Sequence, residues 1–253
     1  MAGRAHAIKR WTTKLPFGPR TARAGARRLI DGYDSGEGIS LVTAIAAGPH
    51  WQLVAFSKAQ RIYAQGDAAD RLYVVVSGAV KLSRSAPFGR DVLTVVGPQE
   101  MFGALSLFDP GPRRASAIAL SDVRAAAIDH HALGSMIQTH PRIAEQLLQL
   151  LARRLKRTND DLSDQMFTDA PGRVAKCLLQ LARRIGAPEG DALRVAHNLT
   201  QAEIAQLAGV SRETVSKSMT NFAHRGWITI DGLSVLIHNP QRLARRAPNP
   251  VGL

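Results

Sequence analysis

The sequence predicts an α+β protein with three parts in order: an N-terminal β-jelly roll, one long helix, and a C-terminal winged helix-turn-helix. Three observations predict this fold. Short strand signals separated by turn residues fill residues 53–128. A continuous helical pattern follows over residues 141 to about 167, and helix-start and hairpin signals cluster between residues 199 and 237.

Composition narrows the class of protein before any motif is considered. A chain of 253 residues has room for two domains, each with its own core. No apolar run approaches the ~18 residues of a membrane span. The only cysteine, Cys177, excludes intramolecular disulfides and multi-cysteine metal sites, and its apolar helix predicts a buried thiol. We expect a cytoplasmic protein whose net charge of +13 favours a polyanionic partner.

Residues 1–36 form a basic tail in which Asp31 is the first acidic residue. A solvated, disordered tail and an arm that contacts DNA phosphates are both consistent with this pattern. The tail has no apolar segment of a secretory signal. After it, a short helix is predicted over residues 39–47 and ends at Gly48-Pro49.

The jelly-roll prediction depends on seven short strand signals within a predicted domain of residues 37–140. They cover residues 53–56, 62–63, 72–76, 80–83, 92–96, 117–120 and 123–128. Residues 102–108 interrupt the series and are followed by Arg113 and Arg114. A short helix whose amides point into a barrel, next to arginines, favours an anion-binding site.

Leucines recur along the long helix at alternating intervals of three and four residues. The series contains Leu148, Leu151, Leu155, Thr158, Leu162 and Gln165. This is the spacing of a coiled-coil seam, and it predicts a homodimer held by the four leucines. A helix packed on its own domain is the alternative. Residues 141–168 are therefore the predicted dimerisation helix and hinge, because Pro171 and Gly172 break the helical pattern.

Residues 169–246 form the predicted DNA-binding domain, and 247–253 a short tail. A helix over residues 173–185 opens the domain. Thr200 and Glu203 then have the spacing of a capping box, Gly209 supplies a turn, and Ser211 caps a second helix. Alternating apolar residues on both sides of Asp231-Gly232 predict a hairpin, the wing of the motif.

The second helix of this motif has an apolar face and a polar face. Val215, Met219 and Phe222 are spaced to face inward. The opposite face, which we call the reading arc, contains Arg212, Glu213, Ser216, Lys217 and Thr220. Such side chains read base edges in a major groove. The candidate DNA contacts are Arg212, Glu213, Ser216, Lys217, Thr200 and Ser211; an ordinary helical hairpin with a solvated polar face is the alternative.

Several short segments occur in the order found in one known family. They are Asp70-Arg71-Leu72-Tyr73, Ser77-Gly78, Met101-Phe102-Gly103, Leu105-Ser106-Leu107-Phe108-Asp109-Pro110-Gly111-Pro112, Pro171-Gly172-Arg173-Val174 and Ser211-Arg212-Glu213-Thr214-Val215. With them, residues 40–246 resemble the cAMP receptor protein/fumarate-nitrate regulator (Crp/Fnr) family, and most of all its actinobacterial cAMP receptor branch. The resemblance implies a cyclic-nucleotide-binding-like barrel in a homodimeric transcription factor. Its partners would be RNA polymerase and double-stranded DNA with palindromic TGTGA-like sites.

The resemblance also implies a nucleotide site, which departs from the family pattern. Its positions are Gly103, Ala104, Leu105, Arg113, Arg114, Thr158 and Asn159. Family members that bind cAMP have a glutamate where this chain has Ala104, and a hydroxyl residue directly after the arginine that holds the phosphate. Each lost hydrogen bond to a charged group costs about 1.5–3 kcal/mol. We expect weak or absent cAMP binding and DNA binding that needs little cAMP. Lys217 replaces a frequent family arginine, so specificity at one base is expected to relax.

The sequence leaves two alternative classes of function. A small-molecule-binding protein with incidental DNA contact is the first, and the reading arc argues against it. An enzyme is the second, but the sequence has no nucleophile elbow, Walker loop or zincin helix. No metal site is expected, because His130-His131 has no neighbouring cysteine or carboxylate cluster in the sequence.

Overall fold

The computed structural model describes residues 51–85, 91–104, 109, 111–139 and 141–247. Predictions for the basic tail, the helix at residues 39–47, Leu105 and the rest of 105–108, and residues 248–253 lie outside the described residues.

Eight antiparallel strands precede residue 130 in the described part of the chain. They are β1 Gln52–Phe56, β2 Arg61–Tyr63, β3 Arg71–Ser77, β4 Val80–Ser85, β5 Asp91–Val96, β6 Met101–Phe102, β7 Ser116–Ala119 and β8 Val123–Asp129. Two four-stranded sheets result, with strand orders β1-β8-β3-β6 and β2-β7-β4-β5. All seven predicted strands are confirmed. Strand β6 was not predicted, because two residues are too short to give a strand pattern.

Both sheets bury one face in the barrel interior. Val80 and Leu82 alternate along β4 and are buried, as expected for a strand with one covered face. The Tyr73 and Phe102 rings stack at 4.9 Å between centroids in the same cluster. The predicted β-rich N-terminal domain is confirmed, with an aromatic core that holds β3 and β6 together.

Six helices are described. They are α1 His130–Thr139, α2 Arg142–Phe167, α3 Ala170–Ile185, α4 Gln201–Ala208, α5 Arg212–His224 and α6 Pro240–Arg246. The long helix α2 matches its prediction. The next helix, α3, begins at Ala170 and not at residue 173, because the Asp169 carboxylate caps it by accepting from the Gly172 N–H at 2.9 Å. A proline is tolerated in the first turn of a helix, where its missing N–H would be unpaired in any case.

A third four-stranded sheet belongs to the DNA-binding domain. Its strands are β9 Gly186–Glu189, β10 Ala192–Val195, β11 Ile228–Asp231 and β12 Ser234–Ile237, in the order β11-β12-β10-β9. The β11–β12 hairpin is the predicted wing, and it is confirmed. Strands β9 and β10 were not predicted, since Gly186-Ala187-Pro188-Glu189 has little strand propensity.

The barrel and the DNA-binding domain share a core, which differs from the expectation of one core each. Ala79, Leu93, Val95 and Leu120 of the barrel belong to the same buried cluster as residues of α3, α4 and α5. Polar pairs surround this interdomain contact. They join Lys81 Nζ to Glu203 Oε1 at 2.5 Å, Lys58 Nζ to Asn198 Oδ1 at 2.8 Å, and Arg184 Nε to Glu100 Oε1 at 3.3 Å. Among the described helices, none is long and apolar enough to cross a membrane.

Candidate nucleic-acid interface and ligand pocket

The turn between α4 and α5 is fixed by local hydrogen bonds. Thr200 Oγ1 accepts from the Glu203 N–H at 3.2 Å, and Glu203 Oε2 accepts from the Thr200 N–H at 2.8 Å, which completes the predicted capping box. Gly209 then adopts a left-handed conformation with φ +63°, which a glycine reaches without steric cost. Ser211 Oγ accepts from the Thr214 N–H at 3.1 Å and starts α5.

Helix α5 buries one face and exposes the other. Val215, Met219 and Phe222 are buried as predicted, and Ser218 is buried with them. Four of the five residues of the reading arc are exposed, and Ser216 is half-buried. Lys217 Nζ pairs with Glu213 Oε1 at 2.6 Å, and both side chains are mostly exposed. Exposed pairs contribute only about 0–1 kcal/mol, so contact with DNA can replace this one at small cost.

The hydroxyls of Thr200 and Ser211 are engaged in helix caps. Their candidate role in DNA contact therefore depends on their positions at the starts of α4 and α5. Each position presents the N-terminal end of a helix, where backbone N–H groups and the helix dipole favour a phosphate. Both residues are exposed. Any contact they make would therefore position DNA without reading bases.

Arg173 is a connecting residue whose contacts the sequence did not predict. Its guanidinium donates to the Thr168 carbonyl at 2.7 Å, and to the carbonyls of Ala208 and Gly209, each at 3.2 Å. Arg173 therefore ties the segment after α2 to the turn that sets the start of α5. The sequence signal for this residue is its place in the Pro171-Gly172-Arg173-Val174 segment.

In the barrel, the structure separates the roles of the two candidate arginines. The Arg113 side chain is only 2% exposed and donates to the Gly103 carbonyl at 3.0 Å and the Arg71 carbonyl at 2.7 Å. Arg114 is exposed and pairs with Asp109 at 2.7 Å. Gly103 has a φ of +77°, which other residues rarely adopt, and an added Cβ would also lie 2.6 Å from Arg113 Nη1. Arg113 is thus the interior arginine of the site.

The other nucleotide-site candidates lie in two different environments. Ala104 is buried in an apolar cluster with Leu72, Val74 and Met101. Thr158 and Asn159 lie on an exposed part of α2. Ala104 is therefore covered, with 1% exposure, whereas Thr158 and Asn159 are open to solvent.

The outer face of α2 has large exposed apolar side chains. Leu148, Leu155, Leu162 and Met166 are 66%, 64%, 55% and 77% exposed. Leu151 differs from them, because it is half-buried against the apolar cluster of its own barrel. The exposed stripe therefore follows Leu148, Leu155, Leu162 and Met166, and passes through Asn159.

Together, the fold and these sites define a transcriptional regulator in which a ligand-binding barrel is joined to a DNA-reading domain. The family model for the cyclic nucleotide-binding domain matches residues 53–140, and the model for the Crp-like helix-turn-helix domain matches residues 172–246. The chain belongs to the Crp/Fnr family of transcriptional regulators.

Related sequences support this family assignment. The chain is 58% identical to the "CRP-like cAMP-activated global transcriptional regulator" of Mycobacterium tuberculosis over 78% of this chain and 88% of the relative. It is 36% identical to the "Cyclic AMP receptor protein" of Thermus thermophilus over 72% and 81% of the two chains. The expectation that the chain is not an enzyme is confirmed, because such relatives are transcriptional regulators.

Solved structures show the same fold. The structure of FixK2 from Bradyrhizobium japonicum matches with a TM-score of 0.66 and 25% identity over 78% of this chain and 97% of that one. A transcriptional regulator of the CRP family from Thermus thermophilus matches with a TM-score of 0.68 at 23% identity, over 79% and 98% of the two chains. The second likeness supports the fold alone.

Proposed function

We propose that this protein is a homodimeric, sequence-specific transcriptional regulator that binds palindromic TGTGA-like sites, acts with RNA polymerase, and responds weakly or not at all to cAMP. The observation that carries the proposal is the reading arc of α5, of which four of five residues are exposed while the opposite face is buried. The proposed domains keep the predicted limits of 37–140, 141–168 and 169–246, and a cytoplasmic location remains a prediction.

Base reading is assigned to the first turns of α5. The first turns of a recognition helix reach base edges in the major groove. Arg212 can donate two hydrogen bonds to guanine, and the Glu213 carboxylate can accept from the cytosine amino group. Ser216 and Lys217 lie one turn further along the same arc. The i,i+4 pair of Glu213 and Lys217 holds both side chains over this surface before DNA arrives.

The Arg212→Ala substitution tests this assignment. It should cost about 1–3 kcal/mol of operator binding and flatten discrimination at one G·C pair. Gel shifts over a panel of single-base operator variants measure both effects. Arg27→Ala, in the basic tail, is the control and should weaken all sequences alike. Unchanged base selectivity in Arg212→Ala would show that α5 does not read the bases. A DNA footprint without a palindrome would favour the alternative, a small-molecule-binding protein with incidental DNA contact.

The homodimer is supported by the exposed stripe of α2. Its large apolar side chains recur every seven residues from Leu148 to Leu162, which suits the same stripe of a second copy. A pair of such helices would set two α5 helices on successive major grooves, as palindromic sites require. Asn159 lies within the stripe, and a polar residue in a seam favours one register over others.

Weak cAMP binding is supported by three features of the barrel. Ala104 supplies no carboxylate and is buried among apolar side chains. The Arg113 guanidinium already donates to two backbone carbonyls. The residue after Arg113 is Arg114, which has no hydroxyl. The relatives named as cAMP-activated give the competing expectation, that cAMP activates this chain as well.

Calorimetric titration of the purified chain with cAMP decides between these expectations. We expect binding weaker than micromolar, and operator affinity that cAMP changes little, since a ligand shifts a conformational equilibrium only by its differential affinity. The Arg114→Ser variant restores a hydroxyl and should tighten cAMP about tenfold. Micromolar or tighter binding by the wild type would show that Arg113, Thr158 and Asn159 suffice.

A further inference from the structure

Only two residues separate the long helix α2 from the first helix of the DNA-binding domain. Helix α2 ends at Phe167 and α3 begins at Ala170, so Thr168 and Asp169 form the whole junction. Thr168 is buried, and its carbonyl accepts from the Arg173 guanidinium at 2.7 Å. The first residue of the junction is therefore held by a side chain of the domain that follows it.

The second residue of the junction, Asp169, is held from the far end of the described chain. Its carboxylate accepts from the Arg246 guanidinium through both oxygens, Oδ1 from Nη1 at 2.9 Å and Oδ2 from Nη2. Arg246 holds the pKa of Asp169 below its ordinary value, so the pair is ionised at neutral pH. A bidentate arginine–carboxylate pair fixes orientation as well as distance, which most exposed ion pairs do not.

Arg246 reaches the junction from a fixed support. It is the last residue of α6, and the neighbouring Leu243, Ala244 and Ala247 are buried in the shared core. The Ala247 N–H donates to the Leu243 carbonyl at 3.1 Å and closes the end of the helix. The backbone on both sides of Arg246 is thus anchored, and only its side chain extends to Asp169.

Gly172 is the point at which α6, the junction and the first turn of α3 meet. A Cβ added to Gly172 would lie 2.9 Å from the Arg246 carbonyl and 2.9 Å from Thr168 Cγ2. Distances this short leave no room for a methyl group, so the three segments are in close contact. The ion pair of Asp169 and Arg246 therefore reinforces a corner that is already closely packed.

We propose that Arg246 is a positioning residue for DNA reading, because through Asp169 it fixes the angle at which the DNA-binding domain leaves α2. The angle is passed on to α5 by Arg173, which donates to the carbonyls of Ala208 and Gly209 in the turn before that helix. This inference rests on the proposed function, in which a homodimer reads two half-sites.

A fixed angle matters because a palindrome requires two reading helices at a set distance. Half-sites lie one helical turn of DNA apart, about 34–36 Å, or a multiple of it. A rigid corner in each protomer sets this separation before DNA arrives, and preorganisation of this kind lowers the ordering cost of binding. A loose corner would leave each α5 able to bind its own half-site but would remove the preference for one spacing.

The test is Arg246→Gln in the full chain, with gel shifts on three DNAs. They are the palindrome with its native spacing, the same palindrome with one base pair inserted between the half-sites, and a single half-site. The insertion moves the second half-site by about 3.4 Å and turns it by about 34°. We expect the variant to bind the native palindrome about fivefold more weakly, and to bind the other two DNAs as the wild type does. Its preference for the native spacing should therefore fall about fivefold.

Three further variants separate positioning from charge and from folding. Arg245→Gln is the matched control, since it removes the same charge from the exposed neighbour in α6 and should keep the wild-type spacing preference. Asp169→Asn keeps a good helix cap but removes the ionic pair, and should behave as Arg246→Gln does. Arg246→Lys keeps the charge without the bidentate fork and should restore only part of the preference.

Two DNA-binding results would overturn the proposal. The first is an unchanged spacing preference in both Arg246→Gln and Asp169→Asn. The second is an equal loss of affinity for the palindrome and the single half-site, which would make Arg246 a residue that only stabilises the DNA-binding domain. In either case, a wild type that prefers the palindrome leaves the proposed function intact.

A wild type that binds the palindrome no better than a half-site would instead refute the proposed function. Hydrogen exchange then tests the corner without DNA. The amides of Gly172 and Arg173 both donate to Asp169. Their exchange should be about fivefold faster in Arg246→Gln and unchanged in Arg245→Gln. Equal exchange in the wild type and Arg246→Gln would overturn this inference by itself.

Discussion

His197 is a buried histidine next to the interdomain contact. Its Nδ1 accepts from the Leu199 N–H at 3.0 Å, so the ring is neutral with its proton on Nε2. Burial lowers the pKa of His197 to about 4, although the nearby Glu203 carboxylate acts in the opposite direction. The unfolded chain binds a proton at its ordinary pKa of ~6.5, so protonation favours unfolding.

This histidine predicts a pH dependence of stability. The contribution of neutral His197 to the free energy of unfolding is present above pH ~6.5 and declines as the pH falls to about 4. The pKa difference corresponds to a loss of up to roughly 3 kcal/mol. Urea denaturation at pH 7 and pH 5 measures the slope. His197→Asn, which keeps an acceptor for Leu199, should flatten the slope in this window. An equal slope in the variant would assign the effect to other groups.

At the scale of elements, α2 has two apolar faces with different partners. Ile143 and Leu147 are buried against the barrel, whereas Leu155 and Leu162 are exposed. The sequence predicted the helix and three of the four exposed positions, since leucines at seven-residue intervals share one face. The sequence placed Leu151 in the seam as well, but this side chain is half-buried against the barrel, a contact that spacing along the helix could not reveal.

Leu155→Asp tests the outer face. In a dimer it would bury a charge against the partner copy, at a cost of several kcal/mol, and should yield monomers with weak operator binding. Light scattering measures the oligomeric state. Arg153→Asp lies on a different side of α2 and should remain dimeric. A stable dimer of Leu155→Asp would place the interface on another surface.

The helix-turn-helix was predicted closely because its signals are local. Thr200, Glu203, Gly209 and Ser211 act within a few residues of their own positions, so their types and spacing fix the caps and the turn. The interdomain contact had no such signal. Lys81 and Glu203 are 122 residues apart, and only the folded chain brings them together.

At the scale of the whole molecule, Glu203 joins the barrel to the DNA-reading domain. One carboxylate oxygen completes the capping box with Thr200, and the other accepts from Lys81. Burial raises the pKa of Glu203, but the bonds from Lys81 and Thr200 outweigh it and hold the pKa below its ordinary value. The carboxylate therefore stabilises the fold at neutral pH, and this contribution is lost as the pH falls through its lowered pKa.

A double-mutant cycle measures this link. Glu203→Gln keeps the capping box, in which glutamine is accepted, but removes the charge that Lys81 meets. With Lys81→Met, we expect a coupling energy of about 1–2 kcal/mol in denaturant unfolding. The exposed pair of Glu213 and Lys217 is the matched control, with an expected coupling of about 0.3–0.5 kcal/mol. Equal coupling in both pairs would show that the interdomain pair adds nothing beyond a surface contact.

Cys177 is a natural chemical probe of the shared core. It is the only cysteine of the sequence and is buried in the cluster that holds the barrel and the DNA-reading domain together. A thiol reagent reaches Cys177 only when that cluster opens, so the labelling rate of the unmodified chain reports how often the cluster opens. Operator DNA or a barrel ligand that favours the closed arrangement will slow the labelling, and one that favours opening will speed it. The labelling rate of the native thiol can therefore show, without an engineered probe, whether a ligand of one domain changes the stability of the shared core.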